Sequence, residues 1–401
     1  MFSSNFRRRP PSDTDHIAAL LATDMSKRRR AVRLICEVLL PISAMFLVSR
    51  VGLLLIGTLT ATQIGAIPKG TNDSWISLLC RFDCGWYLSI AESGYSTAEL
   101  KSGATNLAFF PLHPLVIRLL APLFLDNYLY AAVAISNVCF YVALVYVYRY
   151  VRLLNLDRTV AMVTVGLLCV MPESITFSAA YSEGLFLLLL VVAMFYLRRE
   201  QYLAAGIAAA MLSATRANGI FFIVFALVWI VRRDGMCALL TPWRAPERFV
   251  PIIFAPLGLF LYLGYCFVTT GDAFAYSSTE LYGWGWYFTP PWDTLLVMLR
   301  TEGAVRLAAL CSLGVFFSSL LLIRERLYEE FALCLAVVLL MWSASITGSV
   351  FRYWLVLFPV WIALAKVLAP RPILSAMVFS GLASVNGVMM CAWTLQKLIA
   401  I

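Results

Sequence analysis

Long, continuous apolar runs separated by short polar connectors set the pattern of this chain. The runs fall at about 32–59, 128–148, 159–177, 183–197, 202–215, 217–231, 249–269, 303–323, 329–346, 353–368 and 373–393. Their apolar residues are uninterrupted and do not alternate, which predicts helices buried in a bilayer. The expected fold is all-α: a polytopic transmembrane helical bundle of about eleven spanning helices. Two runs are short. Tyr202–Thr215 and Ala217–Val231 would each reach only ~21 Å at 1.5 Å per residue, against a ~30 Å hydrocarbon core. They flank Arg216-Ala217-Asn218-Gly219. A hairpin of these helices sets Arg216 below the membrane surface, where an unpaired charge is costly and an anionic partner is needed.

The stretch Phe109–Phe124 is too short and too proline-rich to cross alone, and is expected to form an interfacial or re-entrant helix. It belongs to the first of two long connectors, 60–127; the second, aromatic-rich, is 271–302. Residues 1–30 read as a cytoplasmic basic arm ending in Lys27-Arg28-Arg29-Arg30, not as a signal peptide. Residues 31–401 then form a single transmembrane domain.

Composition sharpens this picture. Hydrophobic residues are 62% of the 401 positions and charged residues 13%, too little polar surface for a soluble fold. The net charge of +9 comes from Lys and Arg in connectors. Alternating sides from a cytoplasmic N-terminus places most of them in the cytoplasm, the footprint of the positive-inside rule and not of a nucleic-acid groove. Both long connectors then lie on the non-cytoplasmic side. The ten cysteines are scattered singly, mostly in apolar runs. Cys80 and Cys84 alone lie close together outside a run, and on a helix their spacing suits a disulfide poorly.

The connector 60–127 holds Arg81-Phe82-Asp83-Cys84-Gly85-Trp86-Tyr87-Leu88-Ser89-Ile90-Ala91-Glu92-Ser93-Gly94-Tyr95. In a helix, Asp83, Trp86, Tyr87 and Ile90 share a face, while Glu92 lies about half a turn round and does not partner Asp83. An acid beside two aromatic rings suits a sugar hydroxyl. Spacing alone leaves an interfacial aromatic belt with an incidental acid equally open.

RFDCGWYLSIAESGY followed by NLAFFPLHPLVIRLLAP resembles the W-D-x-x-x-Y-x-x-I-A-x-x-G-Y and F-F-P-L-x-P-L signatures of the GPI mannosyltransferase 2 (PIG-V) family and its bacterial relatives, membrane glycosyltransferases of the GT-C class. The resemblance continues through Ser178–Glu183, Ala214–Gly219, Tyr282-Gly283-Trp284-Gly285 and Phe351-Arg352-Tyr353, touching most of the chain from 45 to 365. Phe82 departs from the family's usual Trp. The resemblance implies a GT-C fold and transfer of a sugar, expected to be mannose, from a polyprenyl-phosphate donor. The acceptor is a lipid, glycan or protein on the non-cytoplasmic face, and the anomeric carbon is inverted. The implied setting is a bacterial inner membrane with the site facing the periplasm, or an endoplasmic reticulum membrane with a lumenal site.

Carried over residue by residue, Asp83 matches the first-loop acid that acts as catalytic base. The chemistry agrees, since an acceptor hydroxyl needs a placed carboxylate to take its proton. Arg216 and Arg352 are candidates for the leaving phosphate, with snorkelling at a helix end the alternative for Arg352. Trp86, Tyr87, Tyr95, Tyr181, Asn218 and Trp284 are candidate substrate contacts. Glu183 reads as a helix N-terminal acid or as an acceptor ligand. His113, between Pro111 and Pro114, has a structural reading beside a binding one. It has no second ligand at metal spacing, so neither metal nor other cofactor is expected. Arg50, inside the first run, and Arg118 are left between pairing with buried acids and touching lipid headgroups. Rival functions are a transporter or flippase of a lipid-linked sugar, the same chemistry with a non-mannose donor, and an inactive scaffold subunit.

Overall fold

A computed structural model of the protein describes residues 35–64, 75–97, 104–345 and 350–397. The basic arm at 1–30 lies outside the described residues. In chain order the α-helices of five or more residues are α1 Leu40–Ile64, α2 Cys84–Ser93, α3 Leu112–Leu120, α4 Tyr128–Leu153, α5 Arg158–Val170, α6 Glu183–Arg198, α7 Tyr202–Thr215 and α8 Phe222–Asp234. They continue as α9 Val250–Phe254, α10 Leu257–Thr270, α11 Ala275–Trp284, α12 Pro291–Arg300, α13 Ala304–Arg324, α14 Tyr328–Trp342, α15 Val350–Leu355, α16 Phe358–Leu368 and α17 Pro372–Thr394. Among the described residues the only β feature is an isolated bridge between Phe288 and Ala344.

Every predicted apolar run contains a helix, but their lengths differ. Among the described residues four segments, Ile35–Gln63, α4, α13 and α17, are long and apolar enough to cross a membrane. A fifth crossing is available if α9 and α10 act as one span, bent by 42° at the Ala255-Pro256 break. Proline there removes a backbone donor and obstructs the preceding turn. The remaining apolar helices are shorter, so the length criterion alone leaves the count of eleven undecided. The run 159–177 is corrected: α5 stops at Val170, and Met171–Ser182 form a buried connector containing a short 3-10 turn, Ser174–Phe177. The polar residues of that stretch bond to their own backbone, as Thr176 Oγ1 does to Glu173 O, which competes with a continuing helix.

Helix α3 is short and has two unlike faces. Its His113, Pro114 and Ile117 face the protein, while Leu115 and Leu119, followed by Leu123 and Leu125 beyond its end, are exposed. The central core is apolar and joins α4 to α8 with α13, α14 and α16. Helix α6 is its axis, packed against α4 on one side and α7 on the other. The α4–α6 crossing is close because of Gly184: a Cβ there would lie 2.7 Å from the Ser136 carbonyl oxygen. Small residues permit such backbone approach between apolar helices.

The ends of α6 carry opposite charges. At its C-terminus Arg198 pairs with Glu330 at 2.6 Å and Glu329 at 3.4 Å, and Arg232 joins Glu329 at 2.9 Å. Tyr150 donates to Glu330 in the same cluster. At its N-terminus Glu183 begins a second cluster, described below. Gly184→Val is expected to force α4 and α6 apart, costing about 1–3 kcal/mol as overpacking does. Thermal unfolding in detergent should show a lowered Tm; an unchanged Tm removes the close crossing as a constraint.

Candidate active site

The site is built around Asp83, the residue that precedes α2. Phe82, in the left-handed region at φ 51°, turns the chain so that Asp83 leads into the helix and its carbonyl accepts from Trp86 N and Tyr87 N. Tyr181 holds this turn from the other side: its hydroxyl donates to Arg81 O and accepts from Asp83 N, both at 3.0 Å. The predicted shared face is observed. Tyr87 and Ile90 are buried, and Trp86 is half-buried beside them. Glu92 is exposed and apart. One expectation is overturned: Cys80 and Cys84 form a disulfide, with Cα atoms 5.2 Å apart. Cys80 precedes the turn and only Cys84 is helical, so the pair does not have helical i,i+4 geometry.

The Asp83 carboxylate lies 2.6 Å from Arg352 Nη1. The same guanidinium nitrogen stands 3.7 Å from Glu183 Oε1, and Glu183 is also gripped by Arg216. Two acids and two arginines thus form one chain of charge, Asp83–Arg352–Glu183–Arg216. The anionic partner required near Arg216 is Glu183. Arg352 is buried and paired, so it does not snorkel. Glu183 is fully buried in the first turn of α6, where the helix dipole also favours an acid. Tyrosine rings back both cations: Arg216 lies 4.9 Å from the Tyr353 ring centroid and Arg352 5.3 Å from that of Tyr181.

Aromatic side chains bound the cleft. Trp86 stacks on Phe109 and meets Trp284 edge-on, each at 5.8 Å between centroids. Tyr87 bonds Ser182 through its hydroxyl at 3.0 Å and packs edge-on against Phe109 and His113. His113 is fully buried, neither ring nitrogen has a hydrogen-bond partner among the described residues, and burial pushes its imidazole down to about 3. It is therefore neutral packing behind Tyr87 at physiological pH. Asn218 is buried with an unbonded Oδ1. Tyr95 stands aside, bonding Phe109 O at 2.7 Å and packing on Tyr262 and Tyr265.

Helix α11 closes the cleft from the second long connector. It is fixed to the first by the Thr105–Thr279 hydroxyl pair at 3.0 Å and by Gly283, where a Cβ would come within 2.8 Å of Ala104 Cα. That docking brings in Glu280, a carboxyl the sequence reading passed over. Burial and then the Asp83 charge push it up to about 7, with Arg216 and Arg352 opposing. Glu173, in the 171–182 connector outside the helices, was also missed. It is buried at φ 63°, and neither carboxyl oxygen has a hydrogen-bond partner among the described residues. Burial pushes it up to about 8, with Arg352 opposing and Glu183 adding. No periodic signal marks either acid; only the fold brings them near the charge chain.

Among the described residues Arg50 is buried and its partners are backbone carbonyls and hydroxyls. Its guanidinium bonds the Cys169 and Ser174 carbonyls and the Ser174 and Ser178 hydroxyls, fixing the connector that carries Glu173 and Tyr181. Arg118 is exposed on α3. Among the described residues no three His, Cys, Asp or Glu side chains converge as a metal site would need.

This all-α bundle of apolar helices has the architecture of GT-C membrane glycosyltransferases. ArnT from Cupriavidus metallidurans, solved bound to undecaprenyl phosphate, has this fold: it aligns over 81% of this chain and 74% of its own, at TM-score 0.50 and 12% identity. The chain belongs to the mannosyltransferase (PIG-V) family, whose model matches residues 28–282. GPI alpha-1,6-mannosyltransferase 2 of Mus musculus is 31% identical over 230 residues, 51% of this chain and 45% of its own. The Rattus norvegicus protein of the same name is 29% identical over 254 residues, covering 56% and 50%. The chain thus spans about half the length of these curated relatives.

The Glu173 environment generates a pH test. A carboxyl whose folded-state value is raised from 4.5 to about 8 contributes stability that is complete below about 4.5 and lost as pH rises through about 8. Glu173→Gln keeps the neutral shape. It is expected to raise Tm by a few degrees at pH 8 and to change little at pH 4.5. Equal Tm values for variant and wild type at pH 8 would show that Glu173 carries no such burden.

Proposed function

We propose that the protein transfers a sugar, mannose by family, from a polyprenyl-phosphate donor to a hydroxyl of a lipid, glycan or protein acceptor. The observation that carries this reading is the Asp83 carboxylate paired with Arg352 at 2.6 Å, partly exposed in an aromatic-walled cleft where a second arginine stands close by. Asp83 takes the acceptor proton as acceptor oxygen bonds the anomeric carbon. The bond from that carbon to the phosphate oxygen breaks, and its electron pair leaves with the polyprenyl phosphate. Attack opposite the leaving group inverts the centre. The growing phosphate charge falls to Arg352 and Arg216, which suit its oxygens in forked geometry.

The resting pairing adds a condition. At rest the Asp83 carboxylate is engaged by Arg352. The donor phosphate competes with Asp83 for Arg352, so donor binding frees the base before the acceptor reacts. Trp86, Trp284 and Phe109 offer faces for the sugar ring, and Asn218 an unused acceptor oxygen. Tyr87, Tyr181 and His113 hold the turn and its wall, and Tyr95 braces the loop behind it. The arginines supply the charge neutralisation that a metal would otherwise provide, so the proposed mechanism is metal-independent.

We place the site on the non-cytoplasmic face of an integral membrane protein, periplasmic in a bacterial inner membrane or lumenal in an endoplasmic reticulum membrane. The Lys and Arg bias of the opposite connectors supports this, as does a disulfide beside Asp83, because such bonds persist in oxidising compartments. The undecaprenyl phosphate named in the ArnT structure supports a lipid-phosphate carrier.

The test reconstitutes the protein with polyprenyl-phosphate [14C]mannose and candidate lipid acceptors. Asp83→Asn is expected to lower the transfer rate by about 10²–10⁴-fold, the contribution of a placed general base. Asp83→Glu, which keeps the charge, controls for folding. Transfer unchanged in Asp83→Asn sinks the base. Donor flipping without transfer selects a transporter, and use of another sugar with mannose refused corrects the donor.

A further inference from the structure

The five residues Cys80-Arg81-Phe82-Asp83-Cys84 form a ring closed by the disulfide, with the proposed base inside it. The ring is the tightest covalent constraint in the described chain, and the other eight cysteines are unpaired. Its surroundings are fixed as well. Leu79 O accepts from Ala180 N at 3.1 Å, and Leu78 O accepts from Trp393 Nε1 at 2.7 Å. Phe82 packs edge-on against Trp393. Tyr181 bridges Arg81 O and Asp83 N across the ring. Asp83 itself is only partly buried, and among the described residues its one side-chain ion pair is to Arg352. Once a donor phosphate competes for Arg352, that side-chain tether weakens. Only the backbone then fixes where the carboxylate points.

We infer that the Cys80–Cys84 bond is a positioning device for Asp83, and that turnover requires the pair to be oxidised. The inference rests on Asp83 being the base. A ring this small removes little entropy from the unfolded chain, so its main effect is local geometry and not global stability. Phe82 at φ 51° is in the left-handed region, which is uncommon and costly for a bulky non-glycine residue. With the ring open, only the Tyr181 bridge and the Phe82–Trp393 contact still hold the Arg81–Asp83 turn, so it shifts toward ordinary backbone angles and the carboxylate moves with it. A displacement of about 1 Å is enough to cost a catalytic group on the order of 10²-fold.

The bond forms as two thiols lose two protons and two electrons to a disulfide oxidant, which becomes a dithiol. A dithiol returns them and becomes a disulfide, whereas a phosphine supplies the two electrons and water supplies the two protons and the oxygen of the phosphine oxide. Cys84 is fully buried and Cys80 partly exposed, so the reductant enters at the Cys80 sulfur. A dithiol–disulfide exchange partner in the same compartment would therefore set the fraction of active protein.

The experiment uses the full chain in lipid. Alkylation under denaturing conditions followed by peptide mass mapping is expected to find Cys80 and Cys84 protected, and labelled only after treatment with a phosphine reductant. Reduction should lower kcat at least tenfold, leave the donor KM within twofold, and leave Tm nearly unchanged. Reoxidation should restore kcat. The double variant Cys80→Ser/Cys84→Ser should match the reduced protein and ignore reductant. Free thiols in the native protein, or a kcat indifferent to reduction, overturn the inference while leaving glycosyl transfer intact. A joint collapse of KM and Tm would overturn it too, by showing a purely structural bond. Asp83→Asn retaining turnover instead removes the base on which it stands.

Discussion

Glu183 is the acid on which the arrangement of this molecule turns, because it is fully buried and shared by two arginines. Taking a carboxylate and two guanidinium groups out of water is costly, and only close mutual pairing offsets that cost. Each partner comes from a different part of the chain. Asp83 precedes α2, Glu183 opens α6, Arg216 ends the short helix α7, and Arg352 lies in α15. The cluster therefore fastens four segments at one point. Losing one member leaves the others as uncompensated buried charges, so their positions are fixed jointly.

Helix α6 relates this cluster to the one at its other end. Arg198, Glu329, Glu330, Arg232 and Tyr150 form a second network there, with Glu330 fully buried. The two networks differ in what surrounds them. Around Arg198 the helices pack closely, with no aromatic cleft over the acids. Around Asp83 the partners are loops and short helices, and Trp86, Trp284 and Phe109 leave a walled opening. Charge networks thus occur at both ends of α6, and the aromatic-walled opening lies at the end that holds the two longest connectors.

Much of this was legible along the chain. Continuous apolar runs located every long helix, since the requirement for internally bonded backbone in lipid acts residue by residue. Asp83 with Trp86 and Tyr87 could be grouped from helical spacing, and the shortness of the runs beside Arg216 demanded an acid nearby. The Cys80–Cys84 bond ran against the helical spacing rule. The rule assumed a helix through both residues, whereas the chain turns at Phe82 and the helix begins at Cys84. The carbonyls that Arg50 binds are offered where α5 stops, and that stop falls seven residues before the end of the apolar run.

The sequence by itself determined the class of solvent, the helices and the residue types available for chemistry. These follow from local hydrophobicity and spacing, which need no knowledge of what lies across the bundle. Only the tertiary structure decided which charges meet. Arg352 and Asp83 are 269 positions apart, and Glu280 reaches the cleft only because Thr279 and Gly283 dock α11 onto the first connector. Electrostatic pairing depends on distance in space and on exclusion of water, and neither quantity is written in the order of the residues.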